Sequence, residues 1–91
     1  MLIVLCYDVG DDRRRLRLYQ MMQGYGRAVQ RSVFECELTA SELERLRRRL
    51  RRIIDPAADS VRLYVLCEGC VRRVEVLAGP PVEKPPDFLI V

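Results

Sequence analysis

A chain of 91 residues can bury one small hydrophobic core, and its 49% hydrophobic and 32% charged residues are typical of a folded protein rather than a disordered one. No run of about 18 apolar residues is present, which excludes a membrane-spanning helix, and no basic segment precedes the first apolar run, so we expect a cytoplasmic protein without a signal peptide. Histidine is absent, which excludes the commonest general base and metal ligand, so any catalysis would depend on carboxylates, metal, tyrosine or arginine.

The net charge is only +3, but fifteen of the 16 basic residues are arginine and the single lysine is Lys84. A planar guanidinium group can hold a phosphate through two hydrogen bonds, whereas the ammonium group of lysine acts as a point charge. A phosphate-bearing partner therefore fits this composition, although a codon bias towards arginine explains it equally well.

The first two elements are predicted from a continuous apolar run and a helical repeat. Residues 2–7 are all apolar and lead to Asp8, which is typical of a central strand buried on both faces. From residue 12 to residue 25, apolar side chains recur at spacings of three and four, which predicts an amphipathic helix. Asp11 favours the start of this helix, and Gly24 favours its end.

The second β region covers residues 27–38. From residue 34 to residue 38, apolar residues at even positions alternate with glutamates at odd positions, which predicts a strand. Val29, however, is an apolar residue at an odd position. A bend or a break near residues 31–33 would reconcile the two halves, so one bent strand and two consecutive strands both remain open.

A second helix is predicted from a capping box and an apolar stripe. Thr39 and Glu42 have the spacing at which each side chain accepts a hydrogen bond from the other residue's backbone N–H, and Pro56 ends the segment. The apolar stripe of this helix consists of Leu43, Leu46, Leu50, Ile53 and Ile54.

The last part of the chain is predicted to contain short strands and an extended connector. Residues 61–67 alternate and predict a strand, and residues 74–78 predict a shorter one. The prolines of residues 80–86 predict a stiff connector that leads to four apolar residues, 88–91. Because four residues cannot form a stable strand alone, we expect them to pair with a sheet edge.

The order β-α-β(β)-α-β with accessory C-terminal strands predicts an α+β, ferredoxin-like fold, in which two helices cover one face of an antiparallel sheet. Residues 1–79 form the predicted domain. Residues 80–91 form a predicted proline-rich arm and C-terminal strand that dock on the partner protomer.

Asp8 is the first candidate functional residue, and two interpretations of it remain open. An aspartate after a strand commonly stabilises a turn. A carboxylate at the end of a strand can also bind a divalent cation, but one carboxylate is a poor site for an ion that takes several oxygen ligands. Two copies of Asp8 facing each other across a dimer axis would make a better site.

Arginines at the start of the first helix and along the second helix are the second candidate group. Cations are unfavourable at a helix N-terminus, and like charges on adjacent turns repel, so an anionic partner would relieve both. A solvated helix face is the alternative. Because the chain has only four Tyr and two Phe and no RNA-binding aromatic motif, contact with a nucleic-acid backbone is favoured over base readout. The residues are Arg13, Arg14, Arg15 and Arg17 in the first helix and Arg45, Arg47, Arg48, Arg49, Arg51 and Arg52 in the second.

Cys67 and Cys70 form a lone Cys-x-x-Cys motif. A structural zinc site needs four ligands, and the chain has neither histidine nor a second such motif, so we do not expect metal binding here. A redox pair stays open, but the motif does not match the thioredoxin pattern, and buried packing or an adventitious disulfide is expected.

The order and spacing of several motifs resemble the CRISPR-associated protein 2 family. LIVLCYDV at residues 2–9, followed by DDR at residues 11–13, resembles the first signature of that family, and QRSVFEC at residues 30–36 resembles the second. The arginine-rich second helix, residues 59–67 and the tail also follow the family layout. The resemblance extends over nearly the whole chain.

The resemblance implies a ferredoxin-like homodimer that takes part in acquiring new CRISPR spacers, bridges copies of the CRISPR-associated integrase and holds a DNA duplex. It also implies that some members are divalent-metal-dependent endonucleases on RNA or DNA. The family's aspartate carries over onto Asp8, which would pair with Asp8 of the partner subunit around Mg²⁺ or another divalent cation such as Mn²⁺. Arg13, Arg15 and Arg17 would contact nucleic acid. Phe34, in the second signature, would fit the core equally well.

Two classes of function therefore stay open. In the first, the chain is an endonuclease whose paired Asp8 carboxylates hold a metal ion that activates water. In the second, the chain is a DNA-binding scaffold in which Asp8 is structural. A regulatory domain for a small molecule is disfavoured because no phosphate-binding glycine loop is present. The candidate nucleic-acid contacts are Arg13, Arg15, Arg17, Arg45, Arg48 and Arg52.

Overall fold

The computed structural model describes residues 1–83, which contain four strands and three helices. In chain order they are β1 (Leu2–Asp8), α1 (Asp12–Met22), β2 (Arg27–Gln30), β3 (Val33–Glu37), α2 (Ala40–Ile53), β4 (Ser60–Leu66) and α3 (Glu68–Arg72). The strands form one antiparallel sheet in the order β2-β3-β1-β4, which is the predicted ferredoxin-like arrangement. None of the helices in this part of the chain is long and apolar enough to cross a membrane.

The hydrophobic core lies between helices α1 and α2 and one face of the sheet. In β1, Ile3 and Leu5 point to that face and are fully buried, whereas Val4 and Cys6 point to the opposite face and are half-buried. The prediction that β1 is buried on both faces is therefore only half correct for the described residues, because α1 and α2 cover a single face. The same buried cluster contains Val9, Leu18, Met21, Met22, Phe34, Cys36, Leu38, Leu43, Leu46 and Leu50.

The second β region forms two strands rather than one bent strand. The break falls at Arg31 and Ser32, where the parity of the sequence changes, and Ser32 has a positive φ of 63°. The carbonyl of Ser32 accepts a hydrogen bond from the backbone N–H of Tyr7 at 3.1 Å, so the turn is attached to the end of β1. The register between β2 and β3 shifts between Ala28 and Gln30, so Val29 has no partner in β3 and forms the extra residue of a β-bulge.

Both helices begin with the caps that their sequences predict. In α2, the backbone N–H of Glu42 donates to Thr39 Oγ1 at 3.2 Å, and the backbone N–H of Thr39 donates to Glu42 Oε1 at 2.9 Å, which confirms the capping box. In α1, the backbone N–H of Arg14 donates to the Asp11 carboxylate at 2.9 Å. Helix α1 ends at Met22, three residues before the predicted end at residue 25, and a turn follows it.

The segment after β4 differs from the prediction. Residues 74–78 do not form a strand, because the chain turns into α3 after Leu66 and leaves the sheet edge that such a strand would need. The chain then returns to β2, where Arg27 donates to the carbonyl of Pro81 and its Nε lies 3.3 Å from Glu83 Oε2. Residues 84–91, which include Lys84 and the predicted last strand, lie outside the described residues, so the docking of residues 80–91 on a partner protomer stays a prediction.

An ion pair between Arg14 and Asp59 connects α1 to the loop before β4. Arg14 Nε and Nη2 donate to the two carboxylate oxygens of Asp59 at 2.9 and 3.0 Å, and the backbone N–H of Asp55 donates to Asp59 Oδ2 at 2.8 Å. The Asp59 side chain is only 1% exposed. One of the arginines at the start of α1 therefore has a structural partner rather than a free guanidinium group.

This ion pair predicts a pH dependence of stability. The hydrogen bond from Arg14, followed by the backbone N–H of Asp55, holds the pKa of the Asp59 carboxyl below its usual range. A carboxylate with a lowered pKa in the folded state stabilises the fold above its unfolded pKa, and this stabilisation is lost as the pH falls through the folded pKa. We expect Asp59→Asn to lower the Tm at pH 7 by about 5–10 °C and to weaken its dependence on pH below about pH 5.

Thermal unfolding between pH 3 and pH 7 measures both effects, with Glu75→Gln, at an exposed glutamate, as the control for loss of one negative charge. If the Tm of Asp59→Asn depended on pH in the same way as the Tm of the wild type, the prediction would be contradicted.

Candidate nucleic-acid interface and carboxylate site

The arginines of the chain divide into those with a carboxylate partner and those without one. Within residues 1–83, the paired arginines are Arg14 with Asp59 and Asp11, Arg15 with Asp12, Arg27 with Glu83, and Arg47 with Glu44. The remaining arginines form no ion pair inside this part of the chain. Their charge is therefore available to an external anion.

Three of these unpaired arginines meet in a groove between α1 and α2. The groove has a volume of about 420 Å³ and contains no carboxylate among its lining residues. Its polar lining consists of Arg17 and Gln20 from α1 and Arg49 and Arg52 from α2, and its apolar lining consists of Met21 and Ile53. We call this feature the arginine groove. It opens on the helical layer, on the side of the molecule away from the sheet.

Arg49 is held in place by Tyr25, which follows α1. Arg49 Nη1 donates to the Tyr25 hydroxyl at 3.1 Å, and the guanidinium carbon lies 5.5 Å from the centre of the tyrosine ring. A cation in this position is attracted by the face of the ring. Because Arg49 is already oriented, less side-chain entropy is lost when it binds an anion.

The structure brings together two of the six predicted nucleic-acid contacts, Arg17 and Arg52. Arg13, Arg45 and Arg48 are exposed and unpaired among the described residues, but they do not line the groove. The guanidinium group of Arg15 already has partners within the chain. It donates to the carbonyl of Val9, in the segment before α1, at 3.1 Å, and it also binds Asp12.

Arg49 belongs to the arginine group predicted on the second helix but was not among the six predicted contacts, although the sequence contained a signal for it. Arg49 precedes Leu50 and Arg52 precedes Ile53, so both arginines flank the apolar stripe of α2 on the same side. The sequence does not say which side of the stripe faces α1, because that depends on how the two helices pack.

Asp8 lies at the end of β1 and is exposed. It points to the same side of the sheet as Val4 and Cys6, and it is opposite Ser60 in the register of β1 and β4. Its carboxylate has no hydrogen-bond or ion-pair partner among residues 1–83. No group of three or more Cys, Asp or Glu side chains that could hold a metal ion occurs in this part of the chain. One chain therefore offers a single free carboxylate, which alone does not fit a metal ion.

The sheet face opposite α1 and α2, which we call the open face, carries apolar side chains beside charged ones. Val4 lies between Glu35 of β3 and Tyr64 of β4, and Cys6 lies between Val33 and Arg62. The Tyr64 side chain is 45% exposed, and Val4, Cys6 and Val33 are only half-buried. Apolar side chains that the helices leave partly exposed can contribute to an interaction surface.

A second pocket, of about 450 Å³, adjoins the end of β1 and the turn between β2 and β3. Phe34 lies on its inner wall with 1% exposure, and its ring is 5.5 Å from that of Tyr19 and 6.4 Å from that of Tyr7, centre to centre. Phe34 is thus a core residue that supports the pocket. Arg31 and Ser32 from the second signature also line it.

These features define a small ferredoxin-like α+β protein with an arginine-rich helical layer and an acidic strand end. Residues 1–74 match the family described as CRISPR associated protein Cas2, and the chain belongs to this family.

Three relatives illustrate the similarity. The chain is 43% identical over 90 residues to a CRISPR-associated endoribonuclease Cas2 of Synechocystis, with 99% of this chain and 98% of the relative covered. The crystal structure of Streptococcus pyogenes Cas2 at pH 6.5 superposes with a TM-score of 0.74 at 37% identity, covering 86% of this chain and all of that one. A chain of a partial Cas6-RT-Cas1–Cas2 complex superposes with a TM-score of 0.74 at 25% identity, covering 92% of this chain and 98% of that one.

Proposed function

We propose that this chain is a CRISPR adaptation protein that binds the backbone of a nucleic-acid duplex as a homodimer and bridges copies of the CRISPR-associated integrase. The observation that carries the proposal is the arginine groove, in which Arg17, Arg49 and Arg52 face solvent without a carboxylate among the lining residues. The structural relative from a Cas6-RT-Cas1–Cas2 complex supports the choice of an integrase as partner.

The chemistry of the groove favours the phosphate backbone over the bases. Guanidinium groups bind phosphate oxygens through paired hydrogen bonds, and this contact does not depend on sequence. Within residues 1–83, the aromatic ring in contact with these arginines is that of Tyr25, and its face is occupied by Arg49. Base stacking at this position would therefore require Arg49 to move.

The open face supports the homodimer. Two copies joined through this face would cover Tyr64, Val4 and Cys6, which the helices of the same chain do not cover. Each arginine groove opens on the opposite side, so dimerisation would leave both grooves accessible. A dimer with a duplex-binding groove on each outer side is suited to a bridging role.

The homodimer can be tested with two substitutions of exposed apolar residues by glutamate. We expect Tyr64→Glu, on the open face, to raise the dimer dissociation constant at least about tenfold, because it places a charge in an apolar interface. We expect Leu16→Glu, at a side chain on α1 that is 55% exposed, to leave the dimer intact. Sedimentation equilibrium measures both. A monomeric wild type, or a Tyr64→Glu variant as dimeric as the wild type, would contradict the proposed interface.

Backbone binding can be tested by the salt dependence of affinity. If the three arginines of one groove neutralise three phosphates of a bound duplex, the logarithm of the binding constant should fall against the logarithm of salt concentration with a slope of about −3. Fluorescence anisotropy of a labelled duplex at several salt concentrations measures the slope. An affinity that does not change with salt would rule out this mode of binding.

A second candidate function, Mg²⁺-dependent phosphodiester hydrolysis, is favoured by the position of Asp8. Asp8 has no partner within residues 1–83 and points to the open face, so dimerisation through that face, with the dimer axis close to the end of β1, would bring two free carboxylates together. Two carboxylates, completed by water and substrate phosphate, are an ordinary environment for Mg²⁺. Such an ion, or Mn²⁺, would activate a water molecule and neutralise phosphate charge. The name of the Synechocystis relative, an endoribonuclease, supports this candidate.

A further inference from the structure

Cys67 and Cys70 lie apart from the arginine groove and from Asp8, at the point where the chain leaves β4. Both cysteines are exposed, so the first of the two expectations, buried packing, is wrong, and the second, an adventitious disulfide, is not tested. The physical reason is that the chain turns into α3 directly after β4, so the pair lies on the surface turn rather than on a strand. Neither the proposed duplex binding nor the proposed hydrolysis makes use of these groups.

The Cys67 sulfur contacts the backbone of Cys70. Cys67 has an extended backbone immediately before α3, with φ −72° and ψ 165°, and its Sγ accepts a hydrogen bond from the backbone N–H of Cys70 at 3.4 Å. Cys67 and Cys70 are three positions apart, as are the two partners in a capping box. The Cys67 sulfur therefore lies next to the first turn of α3, which carries Cys70. A Cβ atom at Gly69 would lie 3.8 Å from that sulfur, which is an ordinary van der Waals contact, and Cys67 is exposed.

The two thiols also differ in acidity, and Cys67, the more acidic one, is the better placed to attack a disulfide as a thiolate. Hydrogen bonds from the backbone N–H and the thiol of Cys70 lower the pKa of Cys67, whereas the neighbouring Cys67 sulfur raises the pKa of Cys70. Cys36 is a contrast within the same chain, because burial in the core raises the pKa of its thiol to about 11. Thiolates are the attacking species in thiol–disulfide exchange, so the environment of Cys67 favours attack and that of Cys36 prevents it.

We propose that Cys67 and Cys70 form a reversible dithiol–disulfide pair that exchanges with small-molecule disulfides of the glutathione type. The Cys67 thiolate attacks one sulfur of the small disulfide, forms a mixed disulfide and releases one thiolate. Cys70 then gives up its proton to solvent and attacks the Cys67 sulfur, which forms the Cys67–Cys70 bond and releases the second thiolate. The protein dithiol loses two electrons, and one small disulfide is reduced to two thiols.

The experiment equilibrates the full chain in buffers of reduced and oxidised glutathione, quenches with acid, alkylates the remaining thiols after denaturation and measures intact and peptide masses. In oxidising buffers we expect Cys67 and Cys70 to be protected from alkylation together, while Cys6 and Cys36 are alkylated. The mass of the chain before alkylation should fall by two hydrogens, and dithiothreitol should reverse this loss. We expect Cys70→Ser to accumulate a stable glutathione adduct on Cys67, and Cys67→Ser to form its adduct on Cys70 at least about tenfold more slowly.

Two outcomes would overturn the proposal. One is a wild-type chain that accumulates glutathione adducts or disulfides between chains in every buffer, without the Cys67–Cys70 bond. The other is equal rates of adduct formation in the two serine variants, which would show that Cys67 is not the attacking thiol. Both substitutions change exposed side chains, so the folded state is retained for the comparison.

Discussion

Asp8→Asn is expected to lower Mg²⁺-dependent cleavage of RNA or DNA by about 10²–10³-fold, if the paired carboxylates carry the reaction. The substitution keeps the shape of the side chain and removes its charge, and in a homodimer it removes both carboxylates at once. Because Asp8 is exposed and makes no contact within residues 1–83 that asparagine would break, its effect on the free energy of unfolding should stay within about 0.5 kcal/mol. Duplex affinity should stay within about twofold of the wild type.

Single-turnover cleavage of labelled RNA and DNA, with Mg²⁺ and with EDTA, measures this effect. Asp12→Asn is the matched control, because it makes the same charge change four residues further along, at an exposed position on α1. The control should cleave at close to the wild-type rate. Cleavage by Asp8→Asn at the wild-type rate would mean that the carboxylate has no part in the reaction and would leave the scaffold function alone.

Replacing the three groove arginines together, Arg17→Gln, Arg49→Gln and Arg52→Gln, is expected to lower duplex affinity about 30-fold at 0.1 M salt. For each groove that binds the duplex, each arginine lost should also reduce the magnitude of the slope of log affinity against log salt concentration by about one. None of the three side chains has a carboxylate partner among the described residues, and the hydrogen bond from Arg49 to Tyr25 that the substitution removes is exposed, so no buried partner is left unsatisfied. The loss should be similar for duplexes of different sequence, because phosphate contacts carry no sequence information.

The matched control removes the same charge elsewhere, with Arg47→Gln, Arg72→Gln and Arg73→Gln. Arg47 is paired with Glu44, and the other two lie at the end of α3, so we expect a loss of affinity within about threefold. Anisotropy titrations of both triple variants against one duplex make the comparison. Equal losses would show that net charge, and not the groove, determines binding.

The parts of the fold that follow local rules were predictable from the sequence. The capping box of Thr39 and Glu42 depends on two residues three positions apart, and both of its hydrogen bonds are present. The change of parity near residues 31–33 predicted an interruption, and the structure places a turn there with Ser32 in the left-handed region. The choice between one strand and two was open because periodicity does not show whether a bulge or a turn absorbs the extra residue.

The candidate site was less predictable, because its contacts depend on how distant elements pack. Arg17 and Arg52 were both predicted to contact nucleic acid, but their common groove arises only when α1 and α2 lie side by side. Arg14 bonds to Asp59 across 45 positions of sequence, and no local pattern distinguishes it from its neighbours. The apolar alternation of residues 74–78 predicted a strand, but alternation alone does not supply a pairing edge.

Integration of a labelled prespacer duplex by the CRISPR-associated integrase in the presence of this chain tests the proposed function most directly. Duplex binding through the arginine groove predicts that the Arg17, Arg49 and Arg52 triple variant loses integration at least about tenfold, while Asp8→Asn integrates at the wild-type level. Integration by the triple variant at the wild-type level would contradict the proposed role of the groove.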